Sequence, residues 1–156
     1  MRTRLLLALP VTAFVAVACS KDATGPSPTY ANIAGTYNGA LAGTAQGVAL
    51  QALFSITLTQ SAGNLSGSYG LSGTLNDGVN LVTIQGAGTV TGTIAAGNNP
   101  SVNVTIRTAL CPNYQAHFSG AYDSVNQKLT ISGPVDILNN SCAIVLTYQS
   151  TIILSR

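Results

Sequence analysis

His117 is the single imidazole of the chain, and with the many serines and Asp123 it supplies the residue types of a Ser-His-Asp triad. That chemistry needs a nucleophile held on a sharp turn against the base, and no Gly-x-Ser-x-Gly elbow is present. His117 also sits between Ala116 and Phe118 in an alternating run, which predicts a solvent-facing ring on the face opposite those two. Paired-carboxylate chemistry would need two acids in one cleft. The acids are Asp22, Asp77, Asp123 and Asp136, with no Glu, and Asp77 and Asp123 fall in turn-like stretches where Asp is ordinary. Gly86-Ala87-Gly88 with Gly92 approaches a dinucleotide fingerprint but has no third glycine at the required spacing and leads into a strand-like segment. The expectation is therefore a protein that is not an enzyme, with no catalytic residues, no metal and no cofactor.

Composition narrows the partners. Only 6% of the 156 residues are charged, against roughly 25% in ordinary soluble domains. Removal of Arg2 and Arg4 with a leader leaves four basic residues (Lys21, Arg107, Lys128, Arg156) against four acids. Nucleic acid is not an expected partner, because phosphate binding needs clustered Lys and Arg.

The N-terminus reads as an export signal over residues 1–18. Arg2 and Arg4 form the basic region, Leu5 to Val15 the apolar core, and Ala16-Val17-Ala18 the small residues before Cys19. The apolar stretch is shorter than the ~20 residues that span a bilayer. Ala16-Val17-Ala18-Cys19 resembles the lipobox of bacterial lipoproteins, with Ala at the first position where Leu is usual. The resemblance implies cleavage before Cys19, lipidation of its thiol and anchoring in the cell envelope. Ser20 after the cysteine resembles the pattern that sends such proteins to the outer membrane. Residues 19–32 then read as the lipidated cysteine and a flexible, Pro/Gly-rich tether, and residues 33–156 as the folded domain. In an exported chain the two remaining cysteines, Cys111 and Cys142, are expected to pair. With His117 they are too few for a metal site.

The domain alternates with a period of two. Phe54, Ile56 and Leu58 oppose Ser55, Thr57 and Thr59, and Val102, Val104 and Ile106 oppose Asn103, Thr105 and Arg107. Turn sequences such as Ser61-Ala62-Gly63-Asn64 and Asn76-Asp77-Gly78 separate the runs. The pattern predicts strands near residues 34–43, 47–60, 65–75, 79–86, 87–95, 101–109, 114–123, 127–136 and 142–155, with almost no helix. Short links between consecutive strands imply antiparallel neighbours. The fold class is all-β: an antiparallel up-and-down (meander) β-barrel of about eight strands, with a two-sheet β-sandwich as the alternative. Glycines inside the runs, Gly67, Gly73, Gly92 and Gly120 among them, suit a strongly curved sheet.

Ile33-Ala34-Gly35-Thr36-Tyr37, Leu65-Ser66-Gly67-Ser68-Tyr69 and the closing Ile152-Ile153-Leu154 are similar to the lipocalin/avidin style of meander barrel. The chain departs from it in having no Trp, and Gly35-x-Tyr37 stands where lipocalins carry Gly-x-Trp. The resemblance implies architecture and carries over no ligand.

Aromatic residues are the remaining candidates. If the barrel is hollow, Tyr37, Tyr69, Phe118 and Tyr122 are expected to line a ligand cavity. The expected function is a membrane-anchored, non-enzymatic envelope protein that holds a small apolar or amphipathic ligand. The alternatives are an envelope interaction protein, or an inhibitor of a secreted hydrolase working through the loop 108–114, and a barrel that itself crosses a membrane.

Overall fold

A computed structural model describes residues 27–156; Cys19, the leader and most of the tether lie outside the described residues. Eight strands follow one another: β1 (Gly35–Ala45), β2 (Val48–Ser61), β3 (Asn64–Asn76), β4 (Leu81–Ile94), β5 (Ser101–Thr108), β6 (Ala116–Asp123), β7 (Lys128–Leu138) and β8 (Ile144–Ser155). Every pairing is antiparallel between chain neighbours, and β8 returns to β1 through Asn38 and Ser155, which closes the barrel. The meander expected from the short turns is the fold, and the sandwich is set aside.

The runs expected at 79–86 and 87–95 are one strand. Gly86-Ala87-Gly88, read above as a break, stays in register with Leu71, Gly70 and Tyr69 of β3. Gly86 and Gly88, with Ala87 between them, both keep their extended pairing because Leu71 and Tyr69 of β3 supply the packing.

Local chemistry explains the hairpins and the curvature. Gly47 takes a φ of 80° in the two-residue β1–β2 turn, a conformation that costs a residue with a Cβ. Asp77 and Asp123 each accept backbone N–H groups two and three residues on, closing the β3–β4 and β6–β7 turns. At Gly120 a Cβ would overlap the carbonyl of Thr130, so glycine there lets β6 coil tightly against β7.

One end of the barrel is closed. Ile33 is fully buried and its N–H donates to Gln60 Oε1 at 2.8 Å, while Gln60 Nε2 donates to the Ala31 carbonyl at 3.0 Å. Gly97 N–H donates to the Thr29 carbonyl, so the chain is held to the barrel from Thr29 onward, slightly before the boundary expected at residue 33. Above this plug, Tyr37 meets Tyr122 edge to face at 6.3 Å, and Arg156 lies 5.5 Å from the Tyr37 ring. Leu58, Leu129, Ile131, Ile152 and Leu154 fill the space around them and are essentially inaccessible.

The interior rows are apolar, and the outer rows carry mostly Ser, Thr, Asn and Gln, with Leu53, Val145 and Ile153 as exposed apolar exceptions.

Candidate functional site

The inward-facing rows change character along the barrel. Near the closed end their side chains are buried; toward the other end Tyr69, Leu71, Leu75, Ile84, Val135, Ile137 and Leu146 point inward but are only partly covered. These strands have apolar interior faces with too few facing side chains to fill them.

Unequal strand lengths cause this. β5 and β6 have 8 residues each, whereas β3, β4, β7 and β8 have 11 to 14. β6 pairs with β7 only as far as Ser119 and Ser132, so the upper half of β7 has no partner on that side. Pro134, which cannot donate to a ladder, stands in this free stretch, the position in a sheet that tolerates it. The β5–β6 connection, residues 109–115, lies across the gap as a strap.

Three contacts hold the strap. The Cys111–Cys142 disulfide, with Cα atoms 5.6 Å apart, joins it to the β7–β8 loop as expected from the cysteine count. Ala109 N–H donates to the Ala87 carbonyl at 2.9 Å. Tyr114 donates its phenol to Asp136 Oδ2 at 2.6 Å, and Thr147 donates to Asp136 Oδ1 at 2.6 Å. Burial pushes the Tyr114 phenol above its usual range, and the hydrogen bond to the Asp136 carboxylate pushes it the same way.

Strap, β3–β4 and β7–β8 together enclose a cavity of about 720 Å³. That lies within the ~300–1,000 Å³ typical of small-molecule sites. Its floor is Phe54, Ile106 and Phe118, with Leu71, Ile84 and Val135 on the walls. Thr108, Tyr114 and Asn139 line it at the strap side and Thr83 and Gln85 on β4, while Asp136 stands at its rim, on the row of β7 that carries the pair with exposed Thr147. The Tyr69 ring stacks on Phe54 at 5.8 Å. Burial raises its phenol above the ordinary value, and the neighbouring Thr108 hydroxyl offsets part of that shift. Exposed apolar residues ring this end: Val79, Leu81 and Val82 on the β3–β4 hairpin, Leu110 on the strap, and Ile144 and Val145 at the start of β8. A second depression of about 1040 Å³ runs over the outer face of β1–β4, but it is an open trough in which a ligand would stay solvated.

The four aromatic residues singled out from sequence separate into two pairs. Tyr69 and Phe118 line the cavity. Tyr37 and Tyr122 pack against each other at the closed end and do not reach it. Burial, reinforced by Tyr122, raises the Tyr37 phenol well above its usual range, and its OH donates to the Ile33 carbonyl at 3.0 Å. Phe54, Tyr114 and Asp136 belong to the site but do not stand out in the sequence. The Cys-Pro-Asn-Tyr stretch beginning at Cys111, together with a proline inside a strand-like run, is the available signal for them.

His117 is exposed on the outer face, its Nδ1 3.0 Å from Thr105 Oγ1, the hydrogen-bond partner it has among the described residues. Asp77 and Asp123 serve their own turns. Hydrogen bonds from Asn80 and Val79 hold the Asp77 carboxyl down to about 2, and those from Asn126 and Val125 lower that of Asp123. No group of three His, Cys, Asp or Glu side chains that could hold a metal occurs among the described residues.

Fold and site define a closed eight-stranded meander barrel, plugged at one end and hollow at the other under a disulfide-held strap. No family model, curated protein or solved structure matches the chain.

Proposed function

We propose that this chain is a non-enzymatic binding module of the bacterial cell envelope, anchored through lipidated Cys19 and holding a small apolar or amphipathic ligand inside its barrel. The observation that carries the reading is the row of inward-facing apolar side chains left partly uncovered around the cavity. Leaving such surface open to water costs roughly 25 cal/mol per Å² relative to covering it, so an apolar guest gains by the same amount. The cavity lies at the end of the barrel opposite Thr29.

A titration with the neutral fluorophore N-phenylnaphthylamine tests this. Saturable uptake at one equivalent, lost in Gly86→Leu, supports the reading. A linear, unsaturable signal that is the same in both proteins counts against it.

A second reading has one observation behind it. Leu110 is 82% exposed on a strap fixed at both ends and by the disulfide, which is how an inhibitory or docking loop presents an apolar anchor. Under that reading Leu110→Asp abolishes capture of a partner without altering uptake of the fluorophore.

A further inference from the structure

The gap that the strap crosses leaves two strand edges beside it, and the two differ. On β7, Pro134 removes a donor and Asp136 places a charge on the outward row, devices that keep an edge from pairing with another chain. On β4 the edge carries neither. The last rung between β4 and β5 is Gly88 with Thr108, so residues 81–87 run on without a neighbouring strand on that side. No charged residue occurs between Asp77 and Arg107, and no proline lies within β4.

Hydrogen bonds fix which way this edge points. Ala109 N–H donates to the Ala87 carbonyl on the β5 side, and Ile94 N–H donates to the Gly63 carbonyl on the β3 side. The β3–β4 register runs unbroken from Asn64 with Thr93 to Asn76 with Leu81, so the alternation holds along the whole strand. Leu81, Thr83 and Gln85 therefore direct both N–H and C=O out of the sheet, and no hydrogen bond meets them there among the described residues. Leu81 is 69% and Val82 53% exposed, and Leu81-Val82-Thr83-Ile84 is an uncharged run of the kind that pairs readily.

We propose that β4 is an interface for a second copy of this chain, the two strands pairing antiparallel about a two-fold axis at Thr83. Leu81 and Gln85 stand symmetrically about Thr83, so the edge is its own complement. Thr83 meets Thr83 of the partner subunit, and Leu81 meets Gln85 of the partner subunit. Every free N–H and C=O of the three residues then gains a partner. On the inner face Val82 lies opposite Ile84 of the partner subunit, an apolar cross-strand pair that covers surface exposed in the monomer. An edge without charge suits a copy of itself, since no like charges meet across the axis, and it offers a charged peptide no counter-charge. The pairing does not depend on what the cavity holds.

Sedimentation equilibrium of the purified protein tests this, beside Thr83→Lys and Thr83→Pro. Thr83 is exposed and its N–H points away from β3, so neither change removes a rung within the barrel. The wild type is expected to pass reversibly from monomer to dimer over roughly 1–100 µM, with the midpoint at least about tenfold higher in both variants. Cross-linking gives a readout that does not rely on either of them. Thr83→Cys should form a covalent dimer under mild oxidation, because antiparallel partners about 5.5 Å apart at Cα lie within disulfide reach. Thr89→Cys, exposed on the same strand where β5 already pairs with it, should do so at least about tenfold more slowly. A monomer throughout that range, or a dimer indifferent to Thr83→Lys that cross-links equally from both positions, overturns the proposal.

Discussion

Tyr114 and Asp136 come from different sides of a gap in the barrel, and the 2.6 Å hydrogen bond between them bridges it. The bond links the β5–β6 strap to the upper half of β7, which pairs with β8 but has no β6 partner, and helps roof the cavity. A phenol donating to a carboxylate is a charge-assisted contact, stronger than a neutral pair. Tyr114→Phe removes it and leaves the ring in place. The expected loss is about 1–2 kcal/mol of stability, reduced from the buried range because the pair is partly solvated, together with faster ligand release. Urea denaturation and stopped-flow dissociation of the fluorophore read the two effects separately.

The disulfide acts on the same strap by a different route. Cys111 and Cys142 are 31 residues apart, and on the chain-entropy account closing such a loop stabilises the fold by about 3–4 kcal/mol. The double variant Cys111→Ser, Cys142→Ser should unfold at lower denaturant with its β-sheet far-ultraviolet signature intact. An unchanged midpoint would mean that the strap keeps its place without the cross-link.

Gly86 faces the cavity from β4, and a Cβ there meets only Leu71 and the Tyr69 hydroxyl at ordinary distances of 3.8–3.9 Å. A Cβ at this position meets no backbone, so Gly86→Leu directs its side chain into the cavity from a position that accepts one. Ligand uptake is expected to fall at least roughly tenfold, or 1.4 kcal/mol, while the thermal midpoint stays level or rises. A drop in midpoint without loss of uptake would place the ligand elsewhere.

The alternation of Phe54, Ile56 and Leu58 against Ser55, Thr57 and Thr59 made the strands and their faces legible in the sequence, and the turn residues made the meander legible. The Cys111–Cys142 pair could be read from the cysteine count. What could not be read was how full the interior is. Tyr37 and Tyr69 follow similar Gly-x-Tyr and Gly-Ser-Tyr contexts, yet Tyr37 is sealed by Tyr122 and Ile33 while Tyr69 faces open space. The difference comes from the short β5 and β6 and from the register of β6 on β7, which are long-range properties. Asp136 was equally hidden, because its role depends on Tyr114 reaching it from a loop 22 residues earlier.

Tyr37 and Tyr69 should consequently respond in opposite ways to mutation. Tyr37→Phe loses the hydrogen bond to the Ile33 carbonyl and is expected to cost about 0.5–1.5 kcal/mol with uptake unchanged. Tyr69→Ala removes the ring stacked on Phe54 and should weaken uptake far more than it lowers stability. Equal effects of the two on binding would contradict the division of the barrel into a packed and a hollow end.

Stability should fall off at both extremes of pH. The folded-state values of Asp77, about 2, and of Asp123 lie below the unfolded value of 3.8, so their contribution is present above that value and is lost as pH falls through the folded ones. Tyr37, Tyr69, Tyr114 and Tyr148 are raised above 10.0, so the folded state is favoured below that pH and loses ground above it as the unfolded phenols ionise. Thermal midpoints across pH check this, and a decline beginning near neutrality would require a different group.

The most direct measurement is native mass spectrometry of the protein exported into a bacterial periplasm, beside Gly86→Leu prepared in the same way. The expected result is one reproducible non-covalent mass of a few hundred daltons on the wild type, removed by denaturation and absent from the variant. A bare mass for both proteins, persisting after incubation with neutral amphiphiles, would contradict a ligand-holding barrel.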